Sequence, residues 1–198
     1  MNQKKYIYLI LIAVFVIPLH LQLQQIDEKE YNTLLTERVI NSKMSVLKGL
    51  ASHPIVVREV KLHNEIEITF EEIKKIDDEW IAGMNKDTPT TFALNLQQTK
   101  LSRFIKKKMS SNKSLFAEIF ACDKRGVVVG ECPITSDYNQ GDEDKFIKCY
   151  NNGDGKLFIN SVEFDESSGE YTIQVSLPIL DKEKTIGVIV MGIIYIDK

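Results

Sequence analysis

Histidine is scarce in this chain: its three copies, His20, His53 and His63, lie apart, with no His-Glu-x-x-His spacing and no paired cysteine motif. That argues against catalytic zinc, whose ligands must converge on one ion. No histidine follows residue 63 and no Gly-x-Ser-x-Gly turn exists, so a hydrolase would have no visible nucleophile and base. Basic stripes are also missing. Lys106-Lys107-Lys108 is the single basic run in a chain of formal net charge −3, and it reads as the solvated end of a helix, so nucleic acid is not an expected partner. The segment around Asn152 and Asp154 superficially suits calcium, but Lys156 falls on a ligand position and a hairpin turn is expected instead. No metal, no cofactor and no enzymatic activity is therefore expected. Cysteine is limited to Cys122, Cys132 and Cys149, an odd number that cannot all pair within one chain. Either Cys132 and Cys149 bridge across the intervening loop, or the three are free thiols packed in apolar surroundings.

Long uncharged runs are limited to one. Lys4-Lys5 precede Tyr6 to Leu23, which carries no charge and is mostly aliphatic and aromatic. At ~1.5 Å per residue it reaches about 27 Å, near the lower limit for a ~30 Å hydrocarbon core. Pro18 and His20 interrupt its second half, and no small-residue cleavage pattern follows, so an uncleaved anchor is expected. Positive charge before the segment predicts a cytoplasmic N-terminus and the remainder outside the cytoplasmic membrane, facing the periplasm or exterior. Ile186 to Ile196 is short and broken by Gly187 and Gly192, which predicts a buried strand rather than a second crossing. The expected organisation is residues 1–23 as cytoplasmic start and transmembrane anchor and 24–198 as one extracytoplasmic domain. A chain of 198 residues, 43% hydrophobic and 27% charged, is long enough to bury a core. Only four residues precede Lys5, so any response is expected to pass through a partner protein.

Apolar spacing predicts one long helix over Gln24 to Ser52, broken by His53-Pro54, because a residue before proline is pushed out of the helical region. Its stripe, from Tyr31 to Leu50, could serve a homodimer or be used within the monomer. Further helices are expected over 55–64, 65–83 and 94–109. Lys156 to Phe164, Tyr171 to Ile179 and Thr185 to Ile196 read as strands, with strict period two at Tyr171, Ile173, Val175 and Leu177. Upstream, Ala117 to Cys122 and Val127 to Val129 flank the turn Asp123-Lys124-Arg125-Gly126 and make a hairpin. Pro133 should stop its second strand near Cys132 and release a polar loop, Thr135 to Gln140, that enters a helix at Gly141-Asp142-Glu143-Asp144. Five antiparallel strands with helices before and within them make an α+β domain.

Ile119 to Phe146, with its Asp-x-x-Gly-x-Val-Val hairpin and Thr-Ser-Asp-Tyr-x-Gln-x-Asp-Glu loop, resembles the Cache (PDC) domains, PAS-like extracytoplasmic sensor modules. Leu50 to Val56, Ile76 to Trp80 and Ile186 to Gly192 extend the resemblance over residues 25 to 196. Where family members carry one or two tryptophans after the acidic pair, this chain has Lys145-Phe146. The resemblance implies a PAS-like sheet with a long helix along it, and a small-molecule ligand held between the sheet and the loop.

Side-chain chemistry selects Tyr138, Gln140, Asp142 and Glu143 as polar ligand contacts, with Phe146 and Tyr171 as walls and Trp80 as a further candidate. Thr135, Ser136 and Asp137 either join them or serve only as turn and cap residues. The function expected is small-molecule sensing at the membrane with signalling through another protein. The alternative is a structural or assembly protein of the cell envelope without a small ligand. The short leader ending in Gly that a pilin-like subunit would carry is not found.

Overall fold

The computed structural model describes residues 28–165 and 169–195. The chain falls into two compact units, Met1–Lys43 and Met44–Lys198. In the first, the described residues are turns of helix α1, which spans Glu28–Ala51 and continues into the second unit. The expected anchor, Tyr6 to Leu23, lies outside the described residues. Among those described, no helix is long and apolar enough to cross a membrane.

Helix boundaries follow local capping chemistry. Helix α2 (Pro54–His63) opens on Pro54, and His53 Nδ1 accepts the Ile55 N–H at 3.3 Å. Helix α3 (Phe70–Met84) starts five residues later than the apolar spacing predicts. Thr69 Oγ1 accepts the Glu72 N–H at 3.2 Å while Glu72 Oε2 accepts the Thr69 N–H at 2.8 Å, and this reciprocal cap sets the first turn. The helix expected over 94–109 is two, α4 (Thr91–Leu96) and α5 (Lys100–Ser110), because Thr99 turns out of the helical conformation to cap Ser102.

The sheet comprises β1 (Phe116–Asp123), β2 (Val128–Cys132), β3 (Phe158–Asp165), β4 (Glu170–Asp181) and β5 (Lys184–Ile194), all antiparallel in the order β2-β1-β5-β4-β3. This α+β arrangement has the PAS-like strand order that the resemblance implies. Helix α6 (Asp144–Tyr150) lies between β2 and β3 in sequence. Direct cross-strand pairing separates two faces. Ile119, Met191, Val175 and Ile159 form a row on one face, where Leu101 of α5 lies against Gly130 and Val60 of α2 against Gly187. Glu131, Phe120, Val190, Ser176 and Phe158 form a row on the other, which α3, α4 and α6 cover through Ile73, Trp80, Ala93, Leu96, Phe146 and Cys149.

The three cysteines are free. The bridge between Cys132 and Cys149 is not formed: Cys149 packs with Phe120 and Val188, whereas Cys132 pairs with Ile119 on the opposite face. Burial pushes the Cys149 thiol up to about 12, so it stays protonated.

Candidate functional site

The loop from Pro133 to Glu143 forms a lid over the sheet face that carries Phe120 and Val190. Its root is the hairpin turn. Asp123 is buried, with Arg125 Nε donating to it at 2.8 Å and His63 Nδ1 lying 2.9 Å from it. Arg125 also donates to the carbonyls of His63 (2.9 Å) and Ile66 (2.6 Å), which ties the turn to the end of α2. Burial would raise the Asp123 pKa, but the hydrogen bonds from His63 and Arg125 outweigh it and hold the carboxyl below the usual range. Gly126, at φ 89°, lies so close to Gly141 that a Cβ on it would sit 2.2 Å from the Gly141 Cα. The lid therefore rests directly on the turn.

Helix α3 holds the lid's middle. Asp77 Oδ1 accepts the N–H groups of Tyr138 (2.9 Å) and Asn139 (2.8 Å), and Trp80 Nε1 donates to the Thr135 carbonyl at 2.9 Å. Desolvation raises the Asp77 pKa, and the two backbone donors pull it back in part.

Four of the residues selected from the sequence come together under this lid. Trp80, Tyr138 and Phe146 belong to one buried cluster. The Trp80 and Tyr138 rings lie 5.8 Å apart, and Phe92 meets Tyr138 edge-on at 5.3 Å. Tyr138 is 1% exposed, so its ring is a plug driven into the core, and burial pushes its phenol pKa up. Gln140, also 1% exposed, donates through Nε2 to the Asp137 carboxylate at 2.5 Å, while its Oε1 is buried with no hydrogen-bond partner. Asp142 and Glu143 are not buried under the lid. Both are exposed, and α6 begins only at Asp144, with Glu143 as its N-cap residue making no side-chain cap bond. Tyr171 is not brought to the lid: it shares the parity of Ile173 and Val175, is 56% exposed, and stacks edge-on against Phe164 at 5.3 Å.

Three polar residues on the lid-side face escaped the sequence reading. Glu118, Gly192 and Gln174 pair across β1, β5 and β4, and Gln174 Nε2 donates to Glu118 Oε1 at 2.8 Å. Gly192 makes that possible, because a Cβ there would lie 2.7 Å from the Glu118 side chain. The carboxylate is thereby laid flat across the middle strand. One pair further along, Ser176 is fully buried and its Oγ has no partner. The cations of α6 stand over the same row, Lys145 Nζ 5.5 Å from the Phe120 ring and Lys148 Nζ 5.1 Å from that of Phe158. A readable signal existed. Phe120 and Cys122 alternate with buried neighbours, so Glu118 two residues earlier shares their face, and a glycine inside a strand marks a close approach.

No family model and no curated protein matches the sequence. Solved structures do, at low identity. The ligand-binding domain of the Pseudomonas aeruginosa PAO1 amino acid chemoreceptor PctC, in complex with GABA, is 15% identical, with a TM-score of 0.45 over 84% of this chain and 59% of that one. The ligand-binding domain of the Campylobacter jejuni chemoreceptor Tlp3, in complex with 4-methylisoleucine, is 15% identical, with a TM-score of 0.40 over 81% and 54%. The Escherichia coli DcuS sensor domain is 18% identical, with a TM-score of 0.45 over 80% and 90%. The chain thus spans less than two thirds of the two chemoreceptor domains. The three are described as ligand-binding or sensor domains.

Proposed function

We propose that residues 24–198 form an extracytoplasmic small-molecule-sensing domain of the Cache type, anchored by Tyr6 to Leu23 and signalling through a partner protein. One observation carries the reading. Gln140 Oε1 in the lid and Ser176 Oγ on the sheet face beneath it are buried without protein partners. Buried polar groups are paired in nearly all folded proteins, and an unpaired one costs free energy that a ligand's complementary group would recover. The ligand would lie between lid and sheet, with Gln140, Glu118, Gln174 and Ser176 as polar contacts and Trp80, Tyr138 and Phe146 closing the apolar end. Asp142, Glu143 and Lys145 would stand at the rim.

Occupancy would be felt in the lid, because Gln140 is part of it and Asp77 and Trp80 join it to α3. The experiment is a thermal-shift screen of the full chain in detergent against amino acids, amines, carboxylates and divalent ions. A ligand that binds only the folded state must raise the midpoint, by RT ln(1 + [L]/Kd) in free energy. Failure of every class would favour the envelope-assembly alternative.

A further inference from the structure

Between Thr88 and Ala117 this chain of formal net charge −3 holds no aspartate or glutamate, yet it carries Lys100, Arg103, Lys106, Lys107, Lys108 and Lys113. Helix α5 gathers most of them on one side. It turns Leu101, Ser102 and Ile105 inward, with Leu101 against Gly130 of β2, and leaves Lys100, Arg103, Lys106 and Lys107 exposed. Lys113, past the helix end, is exposed as well, while Lys108 is half-buried with its Nζ 5.4 Å from the Phe104 ring. Among the described residues, none of these cations forms an ion pair.

A solvated helix end explains part of this set. Lys107 and Lys108 lie in the last turn, where cations suit the negative end of the helix dipole. Lys100 and Arg103 lie in the first turn, which has no acidic residue, so the dipole opposes them. Spacing adds to the cost, because Lys100 with Arg103, and Arg103 with Lys106 and Lys107, are like charges three or four residues apart on one helix. Other helices of this protein compensate such positions: Lys74 pairs with Asp78 and Lys148 with Asp144. On α5 the repulsion stands uncompensated.

We propose that the outward face of α5 docks an acidic segment of a partner protein, with Lys100, Arg103, Lys106 and Lys107 as its contacts. Carboxylates three and four residues apart on a partner helix would match this spacing and relieve the repulsion. The other exposed residues at this end, Ser110, Ser111 and Ser114, are hydroxyls, so the surface offers no apolar side to insert into lipid. Its position also suits a signalling partner. Ser102 Oγ accepts the Glu131 N–H at 3.1 Å, and Glu131 Oε2 accepts the N–H of the lid residue Thr135 at 2.9 Å, so a protein seated on α5 sits two hydrogen bonds from the lid. The surface rests on the signalling role proposed above for its purpose alone. Its test uses no small ligand, so an empty ligand screen leaves it standing.

The probe is a fluorescent synthetic helix with glutamates three and four residues apart, titrated by anisotropy into the full chain in neutral detergent. Wild type should bind it with an affinity that falls as salt rises, and Arg103→Glu combined with Lys107→Glu should weaken binding by at least about tenfold. Both side chains are exposed, and the urea midpoint of the double variant checks that the fold is kept. If that variant fails to fold, Arg103→Gln with Lys107→Gln decides: weaker binding supports the surface and unchanged affinity overturns it. Absence of binding to wild type at low salt overturns the proposal, as does equal binding by the double glutamate variant. Inorganic polyphosphate and phosphatidylglycerol mixed into the micelle serve as competitors. If either displaces the labelled helix at a lower concentration of negative charge than the unlabelled helix does, the partner is an anionic polymer or lipid and the protein partner is refuted.

Discussion

A single oxygen of Asp77 accepts the backbone N–H groups of both Tyr138 and Asn139, so one carboxylate on α3 sets the height of the lid above the sheet. Asp77→Ala removes both acceptors and should cost about 2 kcal/mol in chemical denaturation. Exchange at Tyr138 and Asn139 should accelerate while amides in β5 remain protected. Uniform acceleration throughout the domain would mean that the carboxylate supports the whole fold rather than the lid.

Tyr138 is expected to behave as core. Its truncation to alanine removes a ring packed between Trp80 and Phe92 and should destabilise the domain by about 3–5 kcal/mol. Tyr138→Phe keeps the ring and should stay within about 1 kcal/mol of wild type. The alanine variant would disprove this packing role if its urea midpoint were unchanged.

Glu118 reaches Gln174 only because Gly192 lacks a side chain. Gly192→Ala should therefore push Glu118 off the sheet at a cost of about 1–3 kcal/mol. Any ligand found by thermal shift should lose affinity in Gly192→Ala and in Glu118→Gln alike. Unchanged binding in both would place the ligand away from this floor.

Asp123 should govern acid sensitivity at the hairpin turn. Its folded pKa is held below the ordinary 3.8, so its stabilisation is present above 3.8 and lost as pH falls through the lower folded value. Asp123→Asn should flatten the stability profile in that acid range. Asp123→Ala, which strands Arg125 and His63, should cost about 3–5 kcal/mol at neutral pH. A variant with the wild-type acid profile would exclude this group as the source.

How much could be read beforehand depended on which residues signal locally. The break at His53-Pro54, the turn ending at Gly126 and the end of β2 at Cys132 were legible because proline and glycine restrict the backbone by themselves. Thr69 and Thr99 were equally local signals, each a hydroxyl three residues before the N–H it caps, and apolar spacing alone ran across both. Trp80, Tyr138, Gln140 and Phe146 were drawn to one region because the loop chemistry marks it. Glu118, Gln174 and Ser176 were not, since their common face exists only through pairing of β1, β5 and β4, set by contacts up to 74 positions apart in sequence. Tyr171 shows the converse. Its aromatic character suggested a wall, but strand parity sends it to the other side.

The contact between Gly126 and Gly141 bears on how such a domain can be rebuilt. The two backbones touch with no side chain between them, so the hairpin turn and the lid are cut to one another's shape. Grafting a foreign lid onto this sheet would succeed only if the donor's turn came with it. A substitution at either glycine should be rescued by backbone rearrangement in the opposing segment, not by a compensating side chain, so turn and lid have to be exchanged as one piece.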